Sequence, residues 1–165
     1  MSDDLKTWEL ISVERLRLAD ELEGLTPEQW ETQSQCDYWT VREVAAHLVT
    51  PFETSTAKFI FNMALSRFDF DRAIRRLTAG VNNSSSTAEI VAKLRANHDN
   101  RWTPPKVGAE VPLSEIVVHG QDIRRVLGIE HQMPSATIEH TLNGIEDAET
   151  RSDYAGRIGV QITSL

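Results

Sequence analysis

In three segments of this sequence a serine or threonine is followed, three residues on, by glutamate or glutamine at a point where a helix can open. The segments are Thr26-Pro27-Glu28-Gln29, Thr40-Val41-Arg42-Glu43 and Ser86-Thr87-Ala88-Glu89. In such a capping box the hydroxyl accepts the N–H of the third helical residue, whose side chain reaches back to the N–H of the cap. Each segment therefore marks a helix start. Apart from a short run near residue 160 there is no alternating apolar–polar segment to set against them. The chain is constrained to an all-α fold.

The remaining elements follow from periodicity and breakers. Leu5, Trp8, Ile11, Leu18, Leu22 and Leu25 form a helical stripe that predicts a first helix from about residue 3 to Gly24. A short turn follows Pro27, then a polar loop through Gln33, Ser34, Cys36 and Asp37. The Thr40 box opens a helix carrying Val44, Ala45, His47 and Leu48 inward, and Pro51 kinks or ends it within a turn of His47. A helical region is expected from about Glu53 to Leu77, broken near Asp69, followed by a loop over Gly80–Ser85. The Ser86 box predicts a helix to about Trp102, and Thr103 to Pro112 reads as a connection. The next helix ends at Gly128, suited to a left-handed cap, and Pro134-Ser135 opens a last helix to about Arg151. Gly156 to Ile162 reads as a strand without a partner. The expected organisation is a helical bundle over residues 1–152 and a tail over 153–165, either a strand or the start of a further module.

With 165 residues and a formal net charge of -8, the chain has single-domain length and no surface suited to a row of phosphates. Nucleic acid is not an expected partner. Arg72 to Arg76, interrupted by Ala73 and Ile74 and offset by Asp69 and Asp71, reads as a solvated helix face. No apolar run is long enough to span a bilayer, so no membrane association is expected. The acidic Met1-Ser2-Asp3-Asp4 start has no signal-peptide core, and a cytoplasmic location is expected. Cys36, the single cysteine, stands beside Asp37, whose charge works against a thiolate; it reads as structural rather than nucleophilic.

Chemistry concentrates in Leu113 to Arg125. Glu115, His119 and Asp122 stand at i, i+4 and i+7 of a helix that Leu113, Ile116, Val117 and Ile123 oblige to pack against others. At about 100° per residue the three fall within roughly 60° of one another. A carboxylate and an imidazole on a buried face need a partner, and a divalent metal suits both. His47 offers a further imidazole from an inward-facing helix. Two histidines and one carboxylate leave coordination positions open, as catalytic rather than structural sites do. Asp122 would then orient His119 or a bound water. Simpler readings stand beside this one: His47 as a core histidine, Glu115 as a first-turn carboxylate, Asp122 paired with Arg124 or Arg125, or the whole set as a metal-free polar network. His98, His131 and His140 have polar or loop surroundings and are weaker ligand candidates.

The segment Cys36-Asp37-Tyr38-Trp39-Thr40-Val41-Arg42-Glu43-Val44-Ala45-Ala46-His47-Leu48 resembles the first signature of the mycothiol-dependent maleylpyruvate isomerase family. Val118-His119-Gly120-Gln121-Asp122-Ile123-Arg124-Arg125-Val126-Leu127-Gly128 resembles its second. The resemblance extends over roughly Leu5 to Arg151. It implies a DinB-like four-helix bundle with short additional helices. It also implies a divalent metal, zinc or nickel, on His47, Glu115 and His119, and mycothiol as thiol cosubstrate. The implied activity is that of a metal- and thiol-dependent transferase or isomerase acting on a small electrophile. The isomerase proper carries a further C-terminal domain that this sequence lacks, which favours a thiol transferase over maleylpyruvate isomerisation. The alternative is a non-catalytic metal-binding bundle serving as a binding or stress-response module. Such bundles can pair as homodimers. Within the first signature, Trp39 reads as packing and Arg42 as a surface charge.

Overall fold

The computed structural model describes residues 3–103, 107–143, 145 and 148–159. The described residues are all-α, with a single isolated bridge between Gln33 and Thr40 outside the helices. They form two compact units. One joins residues up to Leu18 with those from His98 onward; the other is the continuous stretch Ala19–Asn97.

Helix α1 (Asp3–Glu23) begins in the first unit and ends in the second. Its apolar stripe is real: Trp8, Ile11, Leu18 and Leu22 are buried, although Leu5 is exposed. In the continuous unit, α2 (Pro27–Trp30), α3 (Val41–Val49) and α6 (Thr87–Ala96) each start at the capping box read from the sequence, with both reciprocal hydrogen bonds formed. Helix α3 packs against α5 (Phe70–Ser84) and α6, burying Val41, Val44, Ala45, Leu48, Val49, Leu77, Ile90 and Leu94.

Between α3 and α5 lie a 3₁₀ turn at Thr50–Glu53 and α4 (Thr56–Leu65). None of α4's residues is buried, although the helix is rich in apolar side chains; Ile60 and Phe61 are exposed, as are Phe68 and Phe70 beyond it. The helix is closed without glycine. Arg67 and Phe68 both take positive φ (56° and 63°), and the Phe68 N–H returns to the Met63 carbonyl at 2.8 Å. Asp69 then caps α5, accepting from the Arg72 amide.

In the other unit, α7 (Glu110–Leu127) packs against α8 (Ser135–Asn143) and α9 (Ala148–Ile158). Gly128 ends α7 at φ 66°, a conformation that favours glycine. None of the described helices is long and apolar enough to cross a membrane.

Several boundaries differ from the sequence reading. Residues Gly80–Ser84 are helical rather than loop, because Val81 continues the buried row of Ala73, Leu77 and Thr78. Helix α6 stops at Ala96, not near Trp102; the Asn97 side chain turns back to the Lys93 carbonyl and ends the ladder. Pro112 belongs to the first turn of α7, where its missing N–H has no intrahelical partner to lose. The single last helix is two helices. Gly156–Ile158, expected as a strand, are the end of α9, with Ala155 and Ile158 buried. Residues 160–162 of that expected strand lie outside the described residues.

Candidate functional site

Helix α7 holds Glu115, His119 and Asp122 in the row that their spacing predicts. His119 is mostly buried, with its side chain 13% exposed; Glu115 is half-buried and Asp122 fully buried. The ring of His119 lies between the two carboxylates, with Nδ1 3.0 Å from Asp122 Oδ2 and Nε2 3.4 Å from Glu115 Oε2. Burial pulls its imidazolium pKa down, but the contacts with Asp122 and Glu115 outweigh burial and raise it to about 9. Burial likewise works against the Asp122 carboxylate, and here His119 and Arg157 prevail, holding it below the usual aspartate range. The sequence offered Arg124 or Arg125 as the surface partner of Asp122. The actual partner is Arg157 of α9, whose Nε donates to Asp122 Oδ1 at 3.1 Å and whose Nη2 meets Oδ2. Tyr154, one turn earlier on α9, lies under the Arg157 guanidinium at 5.6 Å from ring centroid. Burial, and then the Glu115 charge, push its phenol pKa up, so Tyr154 is a neutral hydroxyl at ordinary pH.

His47 belongs to the other unit and is fixed there by three local devices. Thr40, seven residues before it, caps α3 together with Glu43. The Trp39 ring packs on the imidazole, with centroids 4.7 Å apart and planes inclined by 30°. The Thr78 hydroxyl of α5 lies 3.4 Å from His47 Nδ1. The effect expected of Pro51 is present. Helix α3 ends at Val49, and the Thr50 N–H is shared between the carbonyls of Ala46 and His47, so the last turn tightens into the 3₁₀ segment. Arg42 is not a plain surface charge: it is half-buried and donates to the carbonyls of Asn82 and Ser85, capping the C-terminal end of α5. Cys36 is half-buried in the loop, where its carbonyl accepts from Gln33, Ser34 and the Trp39 N–H.

A second charged cluster was not anticipated from the sequence. Glu14 of α1 is buried with its carboxylate near three cationic or imidazole groups: Arg17 at 3.0 Å, His131 at 3.4 Å and the buried Arg124 at 3.5 Å. Burial, then the charges of Arg124 and Arg17, bring the His131 pKa down to about 4, so its ring is neutral. A Cβ at Gly120 would lie 3.1 Å from Arg124 Nη1; glycine there leaves room for the guanidinium. The available signal was Glu14 itself, a carboxylate on the same stripe as Ile11 and Leu18. His98 and His140 have ordinary partners in this unit, the hydroxyls of Ser12 and Thr7.

Within one unit, then, the structure brings together Glu115, His119 and Asp122, and adds Arg157 and Tyr154 to them; it places His47 in the other unit, fixed by Trp39 and Thr78. Among known proteins, no curated protein and no solved structure matches the chain. The family model of the mycothiol maleylpyruvate isomerase N-terminal domain matches residues 12–100, a span that contains His47 and stops short of Glu115 and His119. The chain belongs to the mycothiol maleylpyruvate isomerase N-terminal domain family.

Proposed function

We propose that the chain is a metal-dependent transferase or isomerase that uses a low-molecular-weight thiol of the mycothiol type on a small electrophile. In this reading His47, Glu115 and His119 hold one divalent cation, zinc or nickel. Each offers one donor atom, a ring nitrogen or a carboxylate oxygen, and together they suit either metal.

The observation that carries the reading is the row on α7. A ligating histidine ordinarily gives its second ring nitrogen to a carboxylate, which fixes the tautomer and directs the other nitrogen at the metal. His119 has that arrangement: Nδ1 faces the buried Asp122, and Nε2 faces Glu115. The row therefore fits a metal donor set. When bound, a divalent cation supplies the charge that favours thiolate over thiol at neutral pH. The chain's own residues do the rest. Asp122 keeps the proton on His119 Nδ1, Glu115 contributes an anionic oxygen, and Trp39 and Thr78 hold the ring of His47. Tyr154 stands beside the row as a neutral hydroxyl.

Elemental analysis of freshly purified protein, alongside His119→Ala, tests the metal. About one zinc or nickel per chain is expected, lost in the variant while circular dichroism stays helical. A full metal equivalent retained by the variant would sink the donor assignment. Titration with mycothiol then separates an enzyme, which binds it, from a metal-bearing module without chemistry, which does not.

A further inference from the structure

We infer that Arg157 is a positioning residue for the metal ligand His119, acting through Asp122; this rests on the metal reading above. Asp122 has no access to water. A carboxylate so placed needs N–H donors in place of its hydration, and the positions of those donors decide how it lies. Its partners are His119 on one side and the Arg157 fork on the other, with Nε on Oδ1 and Nη2 on Oδ2. Paired N–H···O bonds of this kind fix the plane of a carboxylate as well as its charge.

The consequence reaches His119. With Arg157 in place, Asp122 Oδ2 is held 3.0 Å from His119 Nδ1 and gives the ring a fixed partner. Without Arg157 the two-point contact that fixes the carboxylate plane is gone, and Asp122 can turn about its side-chain bonds and carry Oδ2 out of line with His119 Nδ1. The His119 ring would then lose the partner that sets its orientation.

The guanidinium is itself held. Asp153 lies one turn earlier on α9, 3.7 Å from Nη1, and the Tyr154 ring lies beneath the guanidinium. A second arginine, Arg125 of α7, donates to the Gly156 carbonyl at 3.1 Å and ties α9 to α7 one residue from Arg157. Helix α9 thus does more than cover α7. It delivers a cation to the back of the ligand row.

The test is zinc affinity, measured by competition with a chelating indicator, for wild type, Arg157→Ala and Arg157→Lys. Outer partners of metal-bound histidines are worth about 10- to 100-fold in affinity. Arg157→Ala should lose that much. Arg157→Lys, which keeps the charge but not the fork, should recover part of it. In zinc-loaded wild type the His119 Nδ1 proton should give a resolved, exchange-protected NMR signal, broadened or lost in Arg157→Ala. Should Arg157→Ala fail to fold, Arg157→Lys carries the test, with an expected loss of several-fold and a weakened Nδ1 signal. Wild-type affinity and an unchanged Nδ1 signal in a folded variant would overturn the role of Arg157 and leave the metal centre standing. No zinc bound by wild type itself would overturn both.

Discussion

At His131 a neutral ring faces the Glu14 carboxylate, with the guanidiniums of Arg17 from the same helix and Arg124 from α7 beside it. The pH dependence follows from its depressed pKa of about 4. Unfolded, the ring titrates near 6.5, so between about pH 6.5 and 4 the unfolded chain binds more protons than the folded one. Stability should therefore fall as pH drops through that window, and this contribution is complete above it. Urea denaturation at pH 7 and pH 4.5 should show wild type losing on the order of 1–2 kcal/mol more than His131→Gln, less than full linkage because Arg17 is partly in water. Equal losses in the two proteins would mean that His131 does not carry the effect. The contrast with α7 shows what a sequence reveals at this scale. Glu115, His119 and Asp122 are legible because their spacing alone puts them on one helix face. Glu14 and His131, like Asp122 and Arg157, meet only through the fold, and nothing in the local pattern pairs them.

The helices themselves were legible where their signals are local. All three capping boxes form, the left-handed Gly128 ends α7, and Pro51 stops α3 where expected. Thr40 is the cap of the helix that bears His47. Thr40→Ala should cost about 1 kcal/mol in urea denaturation, the usual worth of such a cap, without changing metal stoichiometry. A loss below a few tenths would show that the box contributes little beyond its water-exposed equivalent. Illegible boundaries have tertiary causes. Asn82, Asn83 and Ser84 have turn-forming composition, yet α5 continues through them because Val81 has a buried place to fill and Arg42 caps the end. Gly156-Arg157-Ile158 alternates like a strand, but Arg157 reaches back 35 residues to Asp122 and Ile158 is buried, so the segment ends a helix. Short apolar alternation cannot distinguish the two states when long-range contacts decide.

Across the whole molecule the described chain is divided unequally along its length. One unit is a continuous stretch, residues 19–97, and all of it lies within the family match. The other must join the first residues of α1 to everything after His98. That division has a consequence in time. A ribosome releases the continuous unit whole while α7 is still inside the exit tunnel, and its helices can close on sequence neighbours at small entropic cost; the other unit must wait for a contact between distant parts of the chain. In refolding, pulse-labelled amides of α3, α5 and α6 should gain protection before those of α7; simultaneous protection, or α7 first, would contradict this order. His47 would thus stand ready early, and Glu115 and His119 would arrive last, so that assembly of the proposed metal centre is the closing event of folding and not its nucleus.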